Sequence, residues 1–210
     1  ELVCEGCGDC GVQSNCLSVL PKETAFGRKR MIDQSACNKD YSCLKGFCPS
    51  FVTVEGGRLR KSRAVLAEVA LPALPEPVLP ALERPWNTVV TGIGGTGVLT
   101  VSAILGMAAH LEGKGCTVLN QSGLAQKFGP VVSHVRIGRR QADIHAVRVA
   151  AGDADLLLGC DLVVSAAEDP LAKVNIERSH AIVNDFESPT AAFTRDPDAV
   201  FPAEAMKARI

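Results

Sequence analysis

Residues 87–111 read NTVVTGIGGTGVLTVSAILGMAAHL. The β-branched run Thr88–Thr91 suits a buried strand, because branching at Cβ stiffens the side chain and packs well on a pleated surface. Gly92, Gly94, Gly95 and Gly97 then make a tight turn, and apolar residues return at helical spacing from 98 to 111. With GCTVLNQ at 115–121 as a second strand, this predicts the opening βαβ unit of a doubly wound sheet. Apolar stretches at 131–137, 144–149, 155–166 and 181–184 are expected to supply later strands, separated by turns at Gly138, Gly152 and Asp169–Pro170. The fold class that follows is α/β.

The glycine pattern lets backbone and a helix N-terminus approach a phosphate closely. A nicotinamide site would also want Asp or Glu roughly 20 residues on, where the second strand instead ends in Asn120 and Gln121. That counts against NAD. It leaves close helix–strand packing, another phosphate ligand such as coenzyme A, or a subunit contact. Downstream, SGLAQKFGPVVSHVRIG gathers Gln126, Lys127, Ser133, His134 and Arg136 on a glycine-punctuated loop leading into a strand, where α/β proteins place function. A lone His beside a strand is more often structural, and His134 is read that way.

Working back from the glycine turn, LPALPEPVLPALERP at 71–85 carries five prolines. Proline fixes φ and removes a donor, so this stretch should run extended as a linker. The expected division is 1–60, a linker at 61–86 and an α/β domain at 87–210.

The front of the chain raises a different question. CEGCGDCGVQSNC (4–16) and CNKDYSCLKGFCP (37–49) hold seven of the nine cysteines. An odd number fits a disulfide framework poorly, and zinc prefers separated Cys pairs. The unbroken C-x2-C-x2-C of Cys4, Cys7 and Cys10 lets one loop wrap an iron–sulfur cubane while supplying three ligands. Gly6, Gly8 and Gly11 suit such a loop, which needs unusual backbone angles and N–H groups pointing at sulfur. In two-cluster ferredoxins the fourth Cys of a run precedes Pro, and here only Cys48 does, before Pro49. That groups Cys4, Cys7, Cys10 and Cys48, while a purely local site would take Cys16 as its fourth ligand. On the first grouping Cys16, Cys37 and Cys43 remain, one thiolate short of a second site. One [4Fe–4S] cluster is expected, and a second stays open. Cys116 and Cys160, in apolar strand-like contexts, read as core. Arg28, Lys29 and Arg30 form a charge run that is either solvated, a docking surface for an acidic redox partner, or an influence on cluster potential.

Composition sets the outer bounds. A chain of 210 residues, 47% hydrophobic, can bury a substantial core. A net charge of −1 and 4% aromatic residues give no reason to expect nucleic acid. No apolar run approaches the ~20 residues that span a bilayer, and no signal-peptide pattern opens the chain, so no membrane partner and a cytoplasmic location are expected. The absence of an initial Met suggests a piece of a longer protein.

The order of CEGCGDCGVQSNC, RKRMIDQSACNKDYSCLKGFCPSFVTVEGG, GIGGTGVLTVSAILGMAAHLEGKG, GLAQKFGPVVSHVRI and ADLLLGCDLVVSA closely resembles the fused indolepyruvate ferredoxin oxidoreductases of the 2-oxoacid:ferredoxin oxidoreductase superfamily, from Cys4 to about Pro202. The resemblance implies a small, loop-rich, ferredoxin-like iron–sulfur region followed by a Rossmann-like gamma domain, with the thiamine diphosphate and Mg site N-terminal of Glu1. It implies oxidative decarboxylation of an aryl pyruvate to an acyl-coenzyme A, with electrons leaving through clusters to ferredoxin. The partners implied are ferredoxin, the thiamine-diphosphate-binding domains of the same enzyme and a 2-oxoacid, in a homo-oligomer. On this reading the cofactor-side residues of the gamma domain are Gly92, Gly94, Gly95, Gly97 and Lys127, no catalytic residue lies in the chain, and the chain alone is inactive. Family members commonly show QKGG where this chain has QKFGP, so Phe128 and Pro130 depart from the pattern. The alternative is a stand-alone iron–sulfur electron-transfer protein carrying a nucleotide-binding or regulatory module.

Overall fold

A computed structural model describes residues 3–46, 48–52, 55–57, 73, 75–124, 128–190, 193, 196 and 198–210. The chain divides into two units, one built from Glu1–Val78 with Pro189–Val200, the other from Leu79–Ser188 with Phe201–Ile210. The stretch at 189–200 thus returns to the first unit, which no compositional shift announces. The described linker residues from 75 to 81 are exposed and form neither helix nor strand, as the rings of Pro75, Pro77 and Pro80, which cannot donate, would dictate.

The second unit is the α/β body. Its central strand β3 (Trp86–Ile93) is buried from Asn87 to Gly92, which explains a β-branched run with no polar alternation. Helix α2 (Val98–Leu111) follows the turn as expected, with Gly97 in the left-handed region at φ 92°. Strands β4 (Gly115–Ser122) and β5 (Pro130–Gly138) come next, then β6 (Leu156–Gly159) and β7 (His180–Val183). The sheet order is β4-β5-β3-β6-β7. β3, β6 and β7 are parallel, whereas β5 runs antiparallel between β3 and β4. The α/β class is as expected, but the sheet is mixed. β4 leaves α2 parallel to β3 and one place away from it, because β5 pairs along its whole length on both sides and occupies the gap.

Three local expectations need correction. Residues 144–149 join no ladder; Arg136 Nη1 donates to the carbonyl of Ala146 at 2.9 Å, and the Val149 N–H donates to His134 Nδ1 at 3.2 Å. Side chains satisfy that backbone, so no strand is needed. The apolar stretch 155–166 is two elements, because Asp161 ends the strand region and caps helix α3 (Leu162–Ser165), accepting from the Val164 N–H at 3.0 Å. Asp169–Pro170 lies inside helix α4 (Glu168–Leu171), near its start, where a missing N–H costs no helical bond.

The core forms two clusters, one around Val89, Val149 and Leu157 and the other around Val90, Val98 and Val135, with Cys160 packed against the latter. Cys116 is partly buried in β4 and donates its S–H to the Gly106 carbonyl at 3.3 Å. Both cysteines therefore occupy packing positions. The outer side of α2 is also apolar, leaving Leu99, Ile104, Met107 and Leu111 exposed. A short helix, α5 (Ala203–Lys207), packs on α3. No helix among the described residues is long and apolar enough to cross a membrane.

The first unit contains more regular structure than loops alone. Helix α1 (Asp9–Ser14) is followed by an antiparallel hairpin, β1 (Val19–Thr24) with β2 (Gly27–Ile32), and a 3-10 turn at Ser42–Lys45.

Candidate functional site

The two cysteine runs meet because α1 packs on the 3-10 turn at 42–45. Gly46 makes room for this, since a Cβ there would strike the Asp9 carboxylate and come 3.3 Å from Gln13 Cγ. The result sorts six of the seven thiols. Burial pushes the Cys10 thiol above its ordinary pKa; the Gly11 N–H works the other way, the neighbouring Cys48 and Cys4 sulfurs push it further up, and the Arg30 guanidinium pulls it back. Burial likewise raises the Cys43 thiol, and there the neighbouring sulfurs are Cys16 and Cys37. Cys4, Cys10 and Cys48 are one neighbourhood, and Cys16, Cys37 and Cys43 are another. Cys7, between Cys4 and Cys10 in sequence, is exposed.

Each neighbourhood has the same backbone device at its entrance. The Gly6 N–H donates to Cys4 Sγ at 3.4 Å, and the Lys39 N–H donates to Cys37 Sγ at 3.3 Å. Both donors have left-handed backbone, at φ 76° and 59°. Turning the chain this way aims an amide back at a sulfur two residues earlier. Gly6 is also pressed on β2, where any Cβ would collide with the Arg28 carbonyl. Gly8 shares the left-handed conformation, but Gly11 does not; it lies inside α1 with ordinary helical angles, a correction to its expected place in the loop.

All nine cysteines are free thiols. Among the described residues no group of three or more His, Cys, Asp or Glu side chains is arranged to hold a metal ion. The two sets are neighbourhoods, not closed coordination shells. Soft sulfur donors with amide N–H groups directed at them nevertheless fit an iron–sulfur cluster chemically.

The charge run on β2 is not one solvated patch. Arg30 is 8% exposed. Arg28 pairs with Glu23 and donates to the Ala199 carbonyl at 2.9 Å. Nothing in the residue types from 189 to 200 signals that association.

At the glycine turn the four glycines do different things. Gly92 is inside β3, where a Cβ would meet Thr96 Oγ1, Val98 Cγ2 at 2.8 Å and Cys160 Cβ at 3.0 Å. Its smallness serves helix–strand packing. The Gly94 N–H donates to the Gly129 carbonyl at 2.8 Å, and the Ile93 N–H to Asp161 Oδ2 at 2.7 Å. A carboxylate thus already occupies the first amide of the turn. Gly95 and Gly97 have positive φ and open space beside them. Lys127 and Gln126 lie outside the described residues.

Ser133, His134 and Arg136 are on β5, not on an exposed loop, and they satisfy the fold. Ser133 Oγ donates to Asn120 Oδ1 at 2.7 Å, and Arg136 Nε donates to Asn87 Oδ1 at 2.8 Å. His134 is fully buried, accepting at Nδ1 from Val149 and so donating from Nε2 to Gln121 Oε1 at 2.9 Å. Burial, with Lys173 and Arg148 nearby, lowers its pKa from 6.5 to about 4. The folded pKa lies below the unfolded one, so His134 contributes stability in full above pH 6.5 and loses it as pH falls toward 4. The loss expected is about 3 kcal/mol. Urea titrations followed through Trp86, the single Trp, should show this slope in the wild type and a flatter one in His134→Gln. Equal slopes would mean another group carries it.

Two aspartates escaped sequence reasoning. Asp161, buried at 3% exposure, ties the end of β3 to the start of α3. An Asp directly before the apolar run Leu162–Val164 is a helix-start signal that could have exposed it. Asp155, 1% exposed, accepts from the Asn87 N–H at 2.8 Å, pairs with Arg84 through both carboxylate oxygens, and lies 3.2 Å from Arg178. No local pattern marks that role.

The chain therefore joins a unit carrying two runs of thiols to a mixed α/β unit. The family model for pyruvate ferredoxin/flavodoxin oxidoreductase matches residues 87–206, more than half of the chain, and the chain belongs to that family. Within it, the chain is 38% identical over 80 residues to indolepyruvate oxidoreductase subunit IorB of Thermococcus kodakarensis, covering 38% of each protein. It is 31% identical over 112 residues to the IorB subunit of Methanothermobacter thermautotrophicus, covering 53% of this chain and 54% of that one. Across these two relatives the matched part is between 38% and 54% of the relative's length. Among solved structures, pyruvate oxidoreductase subunit PORC of Thermotoga maritima aligns at TM-score 0.39 and 19% identity, over 54% of this chain and 56% of that one.

Proposed function

We propose that this chain is the electron-relay and gamma-domain part of a thiamine-diphosphate-dependent 2-oxoacid:ferredoxin oxidoreductase acting on an aryl pyruvate such as indolepyruvate, in the cytoplasm. The observation that carries the reading is the sorting of six of the seven cysteines into two neighbourhoods, each with a backbone N–H turned onto a sulfur. Cys4, Cys7, Cys10 and Cys48 hold a [4Fe–4S] cluster, which when bound takes up and releases one electron at a time. Cys16, Cys37 and Cys43 are the ligands open to a second. The chain's own residues supply thiolate ligation, amide hydrogen bonds to sulfur and partial exclusion of water.

The α/β unit contributes to the coenzyme A side through Gly95, Gly97 and Lys127, with Gly92 and Gly94 serving packing and loop closure. The relatives are named as subunits, which supports partners that complete the enzyme. The thiamine-binding part, with its Mg, is the partner we assign to the exposed apolar side of α2, since a contiguous apolar strip of this kind marks an interaction surface. Ferredoxin takes the electrons.

The isolated chain is expected to be inert toward indolepyruvate. Combined with the thiamine-binding part it should reduce viologen when given an aryl pyruvate and coenzyme A. Reduction by the chain alone, or tight specific binding of NADH in calorimetry, would overturn the proposal.

A further inference from the structure

The ladder between β3 and β5 closes at the pair Trp86–Ile137. One step further it would set Pro85 against Gly138, but a proline nitrogen has no hydrogen to give. Arg84 instead turns away to pair with the buried Asp155. On the other side of the gap, residues 139–143 fold back as a 3-10 turn at Gln141–Asp143. The Asp143 carboxylate accepts from the Arg140 N–H at 3.1 Å and from Arg140 Nη2 at 2.8 Å, and Gln141 Oε1 accepts from the Cys116 N–H at 3.0 Å. Gly115 fixes the turn against β4, since a Cβ there would collide with the Arg140 carbonyl group. The two chains therefore part, and between them lies a cavity of about 570 Å³ lined by Leu82, Glu83, Arg139, Arg140 and Asp143.

The charges on this lining are unequally used. Arg140 is committed to Asp143. Arg139 acts on Asp143 only through its charge, and among the described residues neither Arg139 nor Glu83 makes a side-chain hydrogen bond or ion pair. One guanidinium and one carboxylate thus line the same cavity without partners, beside the half-buried Leu82.

We infer that this cavity binds a small zwitterion, an α-amino acid with an apolar side chain, its carboxylate on Arg139, its ammonium on Glu83 and its side chain against Leu82. A plain anion would gain Arg139 but meet the carboxylates of Glu83 and Asp143, and a plain cation would meet the two guanidiniums. Only a ligand with both charges pairs each unused group. The volume falls in the ~300–1,000 Å³ range of small-molecule sites, and walls held by Asp155 and Asp143 need little ordering on binding. The site is independent of the cluster and of the 2-oxoacid reading.

The experiment titrates the nitrogen-15-labelled full chain by NMR with L-phenylalanine, with 3-phenylpropanoate, which lacks the ammonium, and with phenethylamine, which lacks the carboxylate. L-Phenylalanine is expected to shift the amides of Glu83 and of residues 139–143 saturably, with a Kd of about 1 mM. Each single-charge compound should bind about tenfold more weakly. Both side chains are exposed, so Arg139→Gln and Glu83→Gln should fold as the wild type does. Each should weaken L-phenylalanine about tenfold, Glu83→Gln without weakening 3-phenylpropanoate and Arg139→Gln without weakening phenethylamine. No saturable shift by about 10 mM, tenfold above the expected Kd, would overturn the inference, as would shifts confined to other residues. Equal binding of 3-phenylpropanoate and L-phenylalanine would make the cavity an anion site and overturn it too.

Discussion

Cys10→Ser is expected to cost the chain a whole cluster, about four irons and four sulfides, and Cys48→Ser should do the same from 38 residues further along the chain. The reason is spatial. Cys10 sits on α1 with Cys4 and Cys48 as its neighbouring sulfurs, while Cys16, closer in sequence, belongs with Cys37 and Cys43. A serine oxygen is a poor substitute for a soft thiolate at such a corner. With the thiamine-binding part present, viologen reduction should fall to background in both variants, whereas carbon dioxide release, which precedes electron exit, should persist. Cys16→Ser should leave the first cluster's spectrum intact. If Cys16→Ser abolishes that spectrum while Cys48→Ser spares it, the fourth ligand is local and the grouping is wrong. Undiminished dye reduction in Cys10→Ser would mean that electrons leave by another route.

The second large effect belongs to the fold. Asp155→Ala removes a carboxylate that the Asn87 N–H, Arg84 and Arg178 all use at the edge of β6. A buried amide left without an acceptor costs about 1–3 kcal/mol. Stranding a fully buried charge costs about 3–5 kcal/mol, but Arg84 and Arg178 are 47% and 35% exposed and regain water. The expected loss is therefore about 2–4 kcal/mol, a large share of the ~5–15 kcal/mol that holds a typical domain together. Asp153→Ala is the control. That carboxylate also faces Arg178 and Asn87 but is 36% exposed, so its loss should cost about 1 kcal/mol or less. Urea midpoints read through Trp86, next to Asn87, compare the two. Equal shifts would mean that Asp155 does no more than a surface partner.

What the sequence determined by itself was everything governed by short-range periodicity and spacing. The strand at 88–91, the turn after it and the helix at 98–111 were legible because β-branching, glycine φ and a 3.6-residue repeat act within one element. The reading of Cys4, Cys7 and Cys10 as candidate ligands came from the same kind of signal, since their spacing belongs to one loop. The Cys48–Pro49 signature pointed to a grouping of which the structure brings Cys4, Cys10 and Cys48 near one another.

Tertiary structure decided what depends on partners far along the chain. Whether 144–149 becomes a strand turned on Arg136 and His134 taking its backbone groups, a choice local propensity does not contain. The insertion of β5 between β3 and β4 is a pairing decision, and His134 was made a core residue by that insertion. Lys39 takes a left-handed backbone with no glycine to announce it. The sequence left Arg30 in a charge run with several readings, and its contact with Phe193, more than 160 residues later, came only from the fold. Packing and electrostatics act through space, and sequence distance carries no record of them.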